Sequence, residues 1–171
     1  MKKEELIADI EQTIDWLKKM IDADTYNKVP FKGSWTAAQV VEHINIVGNG
    51  FDYLLNGVTE ATNRPIDKFV APIKTMFLNF NEKAVAAPNV TPTEGNYNLQ
   101  EHMLKLDNIK SAIIKDIKTL DMNMTCVSFE IPTFGYFTRL EAVYFFLFHT
   151  KRHVHQLQNI VKSLSKYQFQ S

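Results

Sequence analysis

An all-α fold, specifically a four-helix bundle, is what the sequence predicts, and three observations lead to it. Four long segments repeat apolar residues at spacings of three and four, the period of an amphipathic helix. Two of these segments begin with the Ser/Thr-x-x-Glu/Gln pattern of a capping box. The remaining segments contain no convincing set of strands, so helices are expected to pack on helices around one core.

The first two helices are predicted over about residues 3–24 and from the Thr36 cap to about residue 56. The second starts at a capping box formed by Thr36 and Gln39. Gly48 and Gly50 lie inside it, where each costs about 1 kcal/mol relative to alanine. We therefore expect a neighbouring group to need the space that they leave. The apolar stripe of the first helix consists of Leu6, Ile10, Ile14, Leu17 and Ile21.

A long crossover is predicted after the second helix, because residues 57–95 contain four prolines. Its segment IKTMFLNFNEK is expected to form a short helical insert. The third long helix is predicted over about residues 97–119, and residues 121–137 are predicted to be an extended loop or a short strand pair. The fourth begins at a capping box formed by Thr138 and Glu141 and continues to about residue 163.

The lengths of the connections predict the directions of the helices. The short first link makes the first two helices antiparallel neighbours, whereas the long crossover carries the chain back along the bundle, so the third helix runs parallel to the second. The expected order is up, down, down, up. In that order the second and fourth helices are antiparallel.

Composition narrows the expected class of protein. Residues 1–171 are expected to form one domain. The 19 basic and 19 acidic residues leave no net charge, so neither nucleic acid nor a membrane surface is an expected partner. The single cysteine, Cys126, excludes an internal disulfide framework and favours a reducing cytoplasm. No apolar run is long enough for a membrane span.

Three of the five histidines lie in the segment HTKRHVHQ, residues 149–156. His149 and His153 are four residues apart, so both project from one face of the fourth helix, and Gln156 returns to that face. His155 must point elsewhere. His43 lies about 10 Å from the start of its helix, and the histidine pair lies roughly 15 to 20 Å from the end of its own. In antiparallel helices these positions have similar heights.

These positions predict a metal site with His43, His149 and His153 as ligands. Three neutral imidazoles leave coordination positions open, as in catalytic sites. Gln156 and Arg152 are the candidate substrate contacts. The alternative is that these three histidines are exposed or hydrogen-bonded without a metal. His102 and His155 are expected to be exposed to solvent or partly buried.

Two stretches resemble a known family. SWTAAQVVEHI, which leads to His43, and LEAVYFFLFHTKRHVHQLQ, which contains His149 and His153, are similar to the DinB/YfiT-like superfamily. The resemblance implies a four-helix bundle in up-down-down-up order. It also implies a divalent metal ion, often zinc or nickel, held by one histidine of the second helix and a histidine pair of the fourth, which by position are His43, His149 and His153.

The resemblance implies chemistry as well. Characterised relatives include thiol S-transferases that use bacillithiol or mycothiol and a thiol-dependent isomerase. It therefore implies a metal-dependent enzyme that activates a thiol or water against a small-molecule substrate, with thiol S-transfer favoured and a low-molecular-weight thiol as an added cofactor. The alternative is a non-catalytic bundle that binds a partner or forms a homodimer and has a vestigial metal site. Haem held by histidine ligands is a third interpretation.

Overall fold

Four long helices form the bundle in the computed structural model, which describes residues 3–82 and 85–168. They are α1 (Lys3–Lys19), α2 (Ala37–Asn56), α4 (Leu99–Thr119) and α5 (Arg139–Gln168). The crossover contains a short helix, α3 (Val70–Leu78), and a 3-10 turn (Pro88–Val90). The predicted fold class is confirmed. A helical insert is also present, but it begins three residues earlier than predicted and ends at Leu78, and Lys83, the last residue of the predicted insert, lies outside the described residues.

The first helix ends at Lys19 rather than near residue 24. Beyond it, the backbone amide of Asp24 donates to the Asp22 carboxylate, and the Thr25 hydroxyl donates to the same side chain. Short polar side chains that bond to nearby backbone groups compete with the helix. The apolar spacing extended the prediction past this point because it ignores that competition.

Contacts between the helices fix their directions. The contacting pairs are Lys18 with Asp107 and Asp15 with Lys110 between α1 and α4, Glu42 with His102 and Asn56 with Asp116 between α2 and α4, and His43 with His149 and Leu55 with Arg139 between α2 and α5. The helix α4 is therefore antiparallel to α1 and parallel to α2, while α5 is antiparallel to α2. This is the predicted up-down-down-up order.

The first two helices are not side by side, so that part of the prediction is wrong. Both α1 and α2 pack against α4 and α5, which places α1 and α2 diagonally across the bundle. The connection between them crosses one end of the bundle and is anchored there by Tyr26, which is buried and bonded to Nδ1 of His102 on α4 at 2.7 Å.

None of the described helices has the length and apolar character that crossing a bilayer requires.

The crossover is attached to the start of α5 through one buried carboxylate. Glu141 is fully buried and accepts hydrogen bonds from both terminal nitrogens of Arg64 and from the backbone amides of Phe69 and Thr138. The Thr138 hydroxyl in turn accepts from the Glu141 amide, which completes the predicted capping box. The helix α3, which begins next to Phe69, is held against α5 by this arrangement.

The segment 121–137 supplies a strand to the crossover. Its strand β2 (Thr125–Cys126) pairs antiparallel with β1 (Thr59–Glu60), so the two halves of the only described sheet lie far apart in sequence. A bridge between Ile131 and Gly135 adds a tight turn inside the segment. The segment is therefore mostly an irregular loop with one short strand, whose partner lies in the crossover rather than within the segment.

Gly48 and Gly50 differ in what surrounds them. A Cβ atom at Gly48 would lie 2.7 Å from Cγ2 of Ile109 on α4, whereas one at Gly50 would meet no heavy atom within 4 Å among the described residues. Of the two glycines, Gly48 is therefore the one whose missing side chain leaves space that a neighbour, Ile109, occupies. It lets α2 and α4 approach each other closely next to the helical turn that contains His43.

We expect Gly48→Ala and Gly50→Ala to change stability in opposite directions. Overpacking against Ile109 should lower the free energy of unfolding of Gly48→Ala by about 1–3 kcal/mol. Better helix propensity should raise that of Gly50→Ala by up to about 1 kcal/mol. Urea unfolding of both variants checks this, and equal effects would contradict the close packing of α2 on α4.

Candidate metal centre

His43 is positioned by the capped start of α2. The Thr36 hydroxyl accepts from the Gln39 amide at 3.1 Å, and the Gln39 side chain accepts from the Thr36 amide at 3.0 Å, so the predicted capping box is present. The ring of Trp35, just before the cap, lies 5.3 Å from that of His43. With its first turn fixed in this way, α2 directs His43 into the bundle, where it is 4% exposed.

The histidine pair projects from α5 into the same place. Nε2 of His149 lies 2.9 Å from Nε2 of His43 and 3.1 Å from Nε2 of His153. Both α5 histidines are buried. Their separation of four residues aligns them on one helix face, and the antiparallel packing of α2 brings His43 to the same height. The structure thus brings together the three residues that the sequence singled out.

The opposite nitrogens of two of these rings have oxygen acceptors. Nδ1 of His43 donates to the backbone carbonyl of Val90 at 2.7 Å, and Nδ1 of His153 donates to Oε1 of Gln156 at 2.8 Å. A neutral imidazole has one N–H, so in both rings Nε2 is left with a free lone pair. Oxygen partners of this kind orient histidine ligands in metal sites and fix their tautomer.

A cation resolves a conflict among the three facing nitrogens. A neutral His149 can place at most one hydrogen on Nε2, and that hydrogen can satisfy only one of the two lone pairs that face it. The other lone pair then lies against nitrogen without a proton between them. A divalent ion that accepts all three lone pairs removes the conflict, and imidazole nitrogen is a preferred donor for zinc and nickel. The donor set therefore fits a metal ion.

Burial keeps these imidazoles neutral. It lowers the pKa of His43, lowers that of His149 well below the ordinary value, and lowers that of His153 to about 3. For His149 and His153 the neighbouring rings lower the pKa further, since positive charges so close would repel. Neutral imidazole is the form that binds metals, so near pH 7 all three rings are ready to act as ligands.

Aromatic rings surround the centre on the α5 side. The Phe77 ring of α3 lies 5.4 Å from His149 in an edge-on arrangement, and the Phe145 ring is stacked at 6.2 Å. Nδ1 of His149 is buried and has no hydrogen-bond partner in the described part of the chain. The packing of Phe77 and Phe145 against the ring therefore takes the place of a hydrogen bond at Nδ1 in orienting His149.

The two candidate substrate contacts lie next to the centre but have partners in the protein. Oε1 of Gln156 accepts from His153, as described above. The guanidinium of Arg152 donates to the carbonyl oxygens of Phe77 at 3.1 Å and Asn79 at 3.2 Å, and to that of Glu82. It thereby binds the C-terminal end of α3. Direct contact of either residue with a substrate stays a prediction.

The other histidines and the cysteine lie away from the centre. His102 is buried between Tyr26 and Glu42, so the expectation that it is exposed or only partly buried is wrong. His155 stacks on Phe80, with ring centroids 4.1 Å apart. Burial raises the pKa of the Cys126 thiol to about 11, which makes it a poor nucleophile near neutral pH.

Two contributors to the centre were not found from the sequence. Val90 acts through its backbone carbonyl, which has no residue-type preference and comes from the irregular crossover. Phe77 lies in the predicted helical insert, but periodicity alone does not show that the insert packs on α5. The Pro88 that starts the 3-10 turn is the one local indication that the chain changes direction next to Val90.

We expect Gln156→Leu to lower metal affinity by about 10–100-fold, the usual effect of removing an outer-shell partner. The change leaves Nδ1 of His153 without its acceptor and frees the ring to rotate. Calorimetric titration of each variant with the metal ion measures the affinity. Gln158→Leu, two residues later at an exposed position, is the matched control and should bind as the wild type does. Equal affinities of the two variants would exclude the orienting role of Gln156.

Two solved structures share the fold. TT2238, described as a four-helix bundle protein, is 17% identical with a TM-score of 0.58, and the match covers 92% of this chain and 99% of that one. YfiT from Bacillus subtilis, described as a probable metal-dependent hydrolase with an unusual four-helix bundle topology, is 17% identical with a TM-score of 0.60, over 95% of this chain and 87% of that one. At this identity the likeness shows the fold alone.

Sequence comparison gives the family. A search of curated proteins finds no match. The model of the DinB superfamily matches residues 4–157, a range that includes all three histidines of the centre. This chain therefore belongs to the DinB superfamily.

Proposed function

We propose that this protein is a divalent-metal-dependent enzyme that activates a small nucleophile, a thiol or water, against a small-molecule substrate. The observation that supports this most directly is the convergence of three Nε2 atoms, two of them on rings whose Nδ1 atoms are held by oxygen acceptors. Zinc and nickel are the ions proposed. The ligands are His43, His149 and His153.

The protein's own residues prepare the centre. Val90 and Gln156 fix the tautomers of two rings, and the buried helices α2 and α5 hold the rings in place before any ion arrives. Burial excludes bulk water and strengthens every electrostatic interaction within the site. When bound, a divalent ion would supply Lewis acidity that lowers the pKa of a thiol or water molecule.

The two nucleophiles define two reactions of one centre. Thiol S-transfer is proposed from the resemblance of the two histidine stretches to thiol-using relatives. Hydrolysis is favoured by a different observation, the shared fold with YfiT, which is described as a probable metal-dependent hydrolase. Activity of the metal-loaded protein on an activated ester, with and without a low-molecular-weight thiol, separates them: thiol dependence indicates transfer, and thiol independence indicates hydrolysis.

Metal analysis of protein purified without a histidine tag tests the proposal. About one divalent ion per chain is expected after exposure to zinc or nickel, and chelation should lower the melting temperature. Stoichiometry well below one, with a melting temperature that chelation leaves unchanged, would remove the proposal and favour the alternative of a non-catalytic bundle with a vestigial site.

A further inference from the structure

We infer that the substrate group bound next to the three histidines is uncharged and apolar, and that it lies on an apolar strip formed by α2, α3 and α5. This inference rests on the proposed function and specifies the class of substrate. The strip is formed by Val47 and Phe51 of α2, Phe77 of α3 and Phe145 of α5.

The helix directions place the strip beside the centre. Val47 lies one turn after His43 on α2, and Phe145 lies one turn before His149 on α5. Because the two helices are antiparallel, both turns lead away from the centre in the same direction. Val47 and Phe145 are partly exposed although they pack against the core. Two partly exposed apolar side chains therefore lie one helical turn from the histidines, on the same side of the centre.

Aromatic contacts make this surface continuous. The Phe145 ring stacks on that of Phe51 at 5.0 Å and meets the ring of Phe77 edge-on at 4.7 Å. Phe77 also contacts His149. Phe145 is the partly exposed member of this aromatic cluster, and a flat or apolar group that reaches it beside His149 meets a surface that favours aromatic and aliphatic partners.

The charged residues that adjoin the ligands in sequence all have partners elsewhere. Glu42, next to His43, lies 3.1 Å from His102 of α4. Lys151 forms an ion pair with Asp9 of α1 at 2.6 Å. Arg152 donates to the carbonyl oxygens of Phe77 and Asn79 at the end of α3 and to that of Glu82 in the loop that follows.

No cation among these three neighbours is left to pair with an anionic substrate. Away from the proposed ion, a carboxylate on the strip would lose its hydration without a side-chain cation as a partner, which is costly, whereas an apolar group gains by leaving water. The charge and the packing of the site therefore point to the same class of substrate.

Cobalt-loaded protein and two matched thiol probes test the inference. Benzyl mercaptan and 4-(mercaptomethyl)benzoate present the same thiol and ring and differ by one carboxylate. Their binding is followed by the thiolate-to-cobalt absorption band. We expect the uncharged probe to bind at least about tenfold more tightly. Equal or tighter binding of the carboxylate probe would overturn the inference while leaving the metal site intact. A protein that binds no cobalt would remove the proposed function and the inference with it.

A lysine introduced on the strip tests where the substrate group binds. Val47→Lys should shift the ratio of the two affinities toward the carboxylate probe by about tenfold, since it supplies the missing cation. The control is Tyr53→Lys, at a position of the same helix that is 73% exposed and outside the strip, and it should leave the ratio unchanged. An unchanged ratio in a folded Val47→Lys variant would contradict the placement of the substrate group on the strip. If that variant does not fold, the comparison of the two probes on the wild type still tests the class of substrate.

Discussion

Replacing His149 by alanine is expected to abolish metal binding, with a loss in affinity of more than about 100-fold, since the loss of even an outer-shell partner costs 10–100-fold. His149 is the central ring, because its Nε2 lies 2.9 Å from that of His43 and 3.1 Å from that of His153. Without it, two imidazoles remain on two different helices. Metal content per chain after dialysis against zinc or nickel measures the loss.

Thermal unfolding gives a second measurement of the same change. At a free metal concentration 100 times the dissociation constant, binding stabilises the folded state by about 2.7 kcal/mol. For a chain of this length we expect the wild type to melt about 5–10 °C higher with metal than without it. His149→Ala should show no such rise. Comparing each protein with and without metal separates metal binding from any cavity that the substitution leaves.

His155→Ala is the matched control for this prediction. It removes the same type of side chain from the same helix, but His155 stacks on Phe80 rather than facing the centre. Its metal content and metal-dependent melting should equal those of the wild type. Wild-type metal content in His149→Ala, or an equal loss in both variants, would show that the three facing nitrogens are not the binding site.

The parts of the centre that the sequence predicted depend on local geometry. Four-residue spacing places His149 and His153 on one helix face whatever the rest of the fold does. The Thr36 cap defines where α2 begins and hence the height of His43 within it. Once the long crossover had indicated that the second and fourth helices are antiparallel, counting residues from the helix ends was enough to bring the three histidines together.

What the sequence did not predict depends on long-range packing. The diagonal placement of α1 and α2 results from a connection that crosses the end of the bundle, and a connection of similar length can also join neighbouring helices. The partners of His102 and Arg152 come from segments distant in sequence, Tyr26 for the first and the end of α3 for the second. The spacing of apolar residues contains no information about such contacts.

Glu141→Gln is expected to destabilise the protein by about 3–5 kcal/mol, the usual cost of breaking a buried ion pair by removing one partner. The Glu141 side chain is fully buried, and that of Arg64 is 19% exposed, so solvent screens the pair only weakly. The neutral amide leaves the Arg64 charge without its partner. The N–H groups of the new amide would also face Arg64 or the Thr138 amide, which are donors that bond to a carboxylate oxygen in the wild type, so these donors would lose an acceptor. The melting temperature should fall by about 10 °C.

Glu101→Gln provides the control, because Glu101 also pairs with a basic residue, Lys105, but its side chain is 62% exposed. Surface pairs contribute little, so no measurable change in melting temperature is expected. A double-mutant cycle of Glu141→Gln with Arg64→Met isolates the pair, and the double variant should be more stable than Glu141→Gln alone because no unpaired charge remains buried. Additive effects would mean that Glu141 acts through the amides of Phe69 and Thr138 instead.

The Glu141 anchor holds α3, and with it Phe77, against α5. Glu141→Gln should therefore still bind cobalt through the three histidines, but the cobalt-loaded variant should bind benzyl mercaptan more weakly than the wild type does.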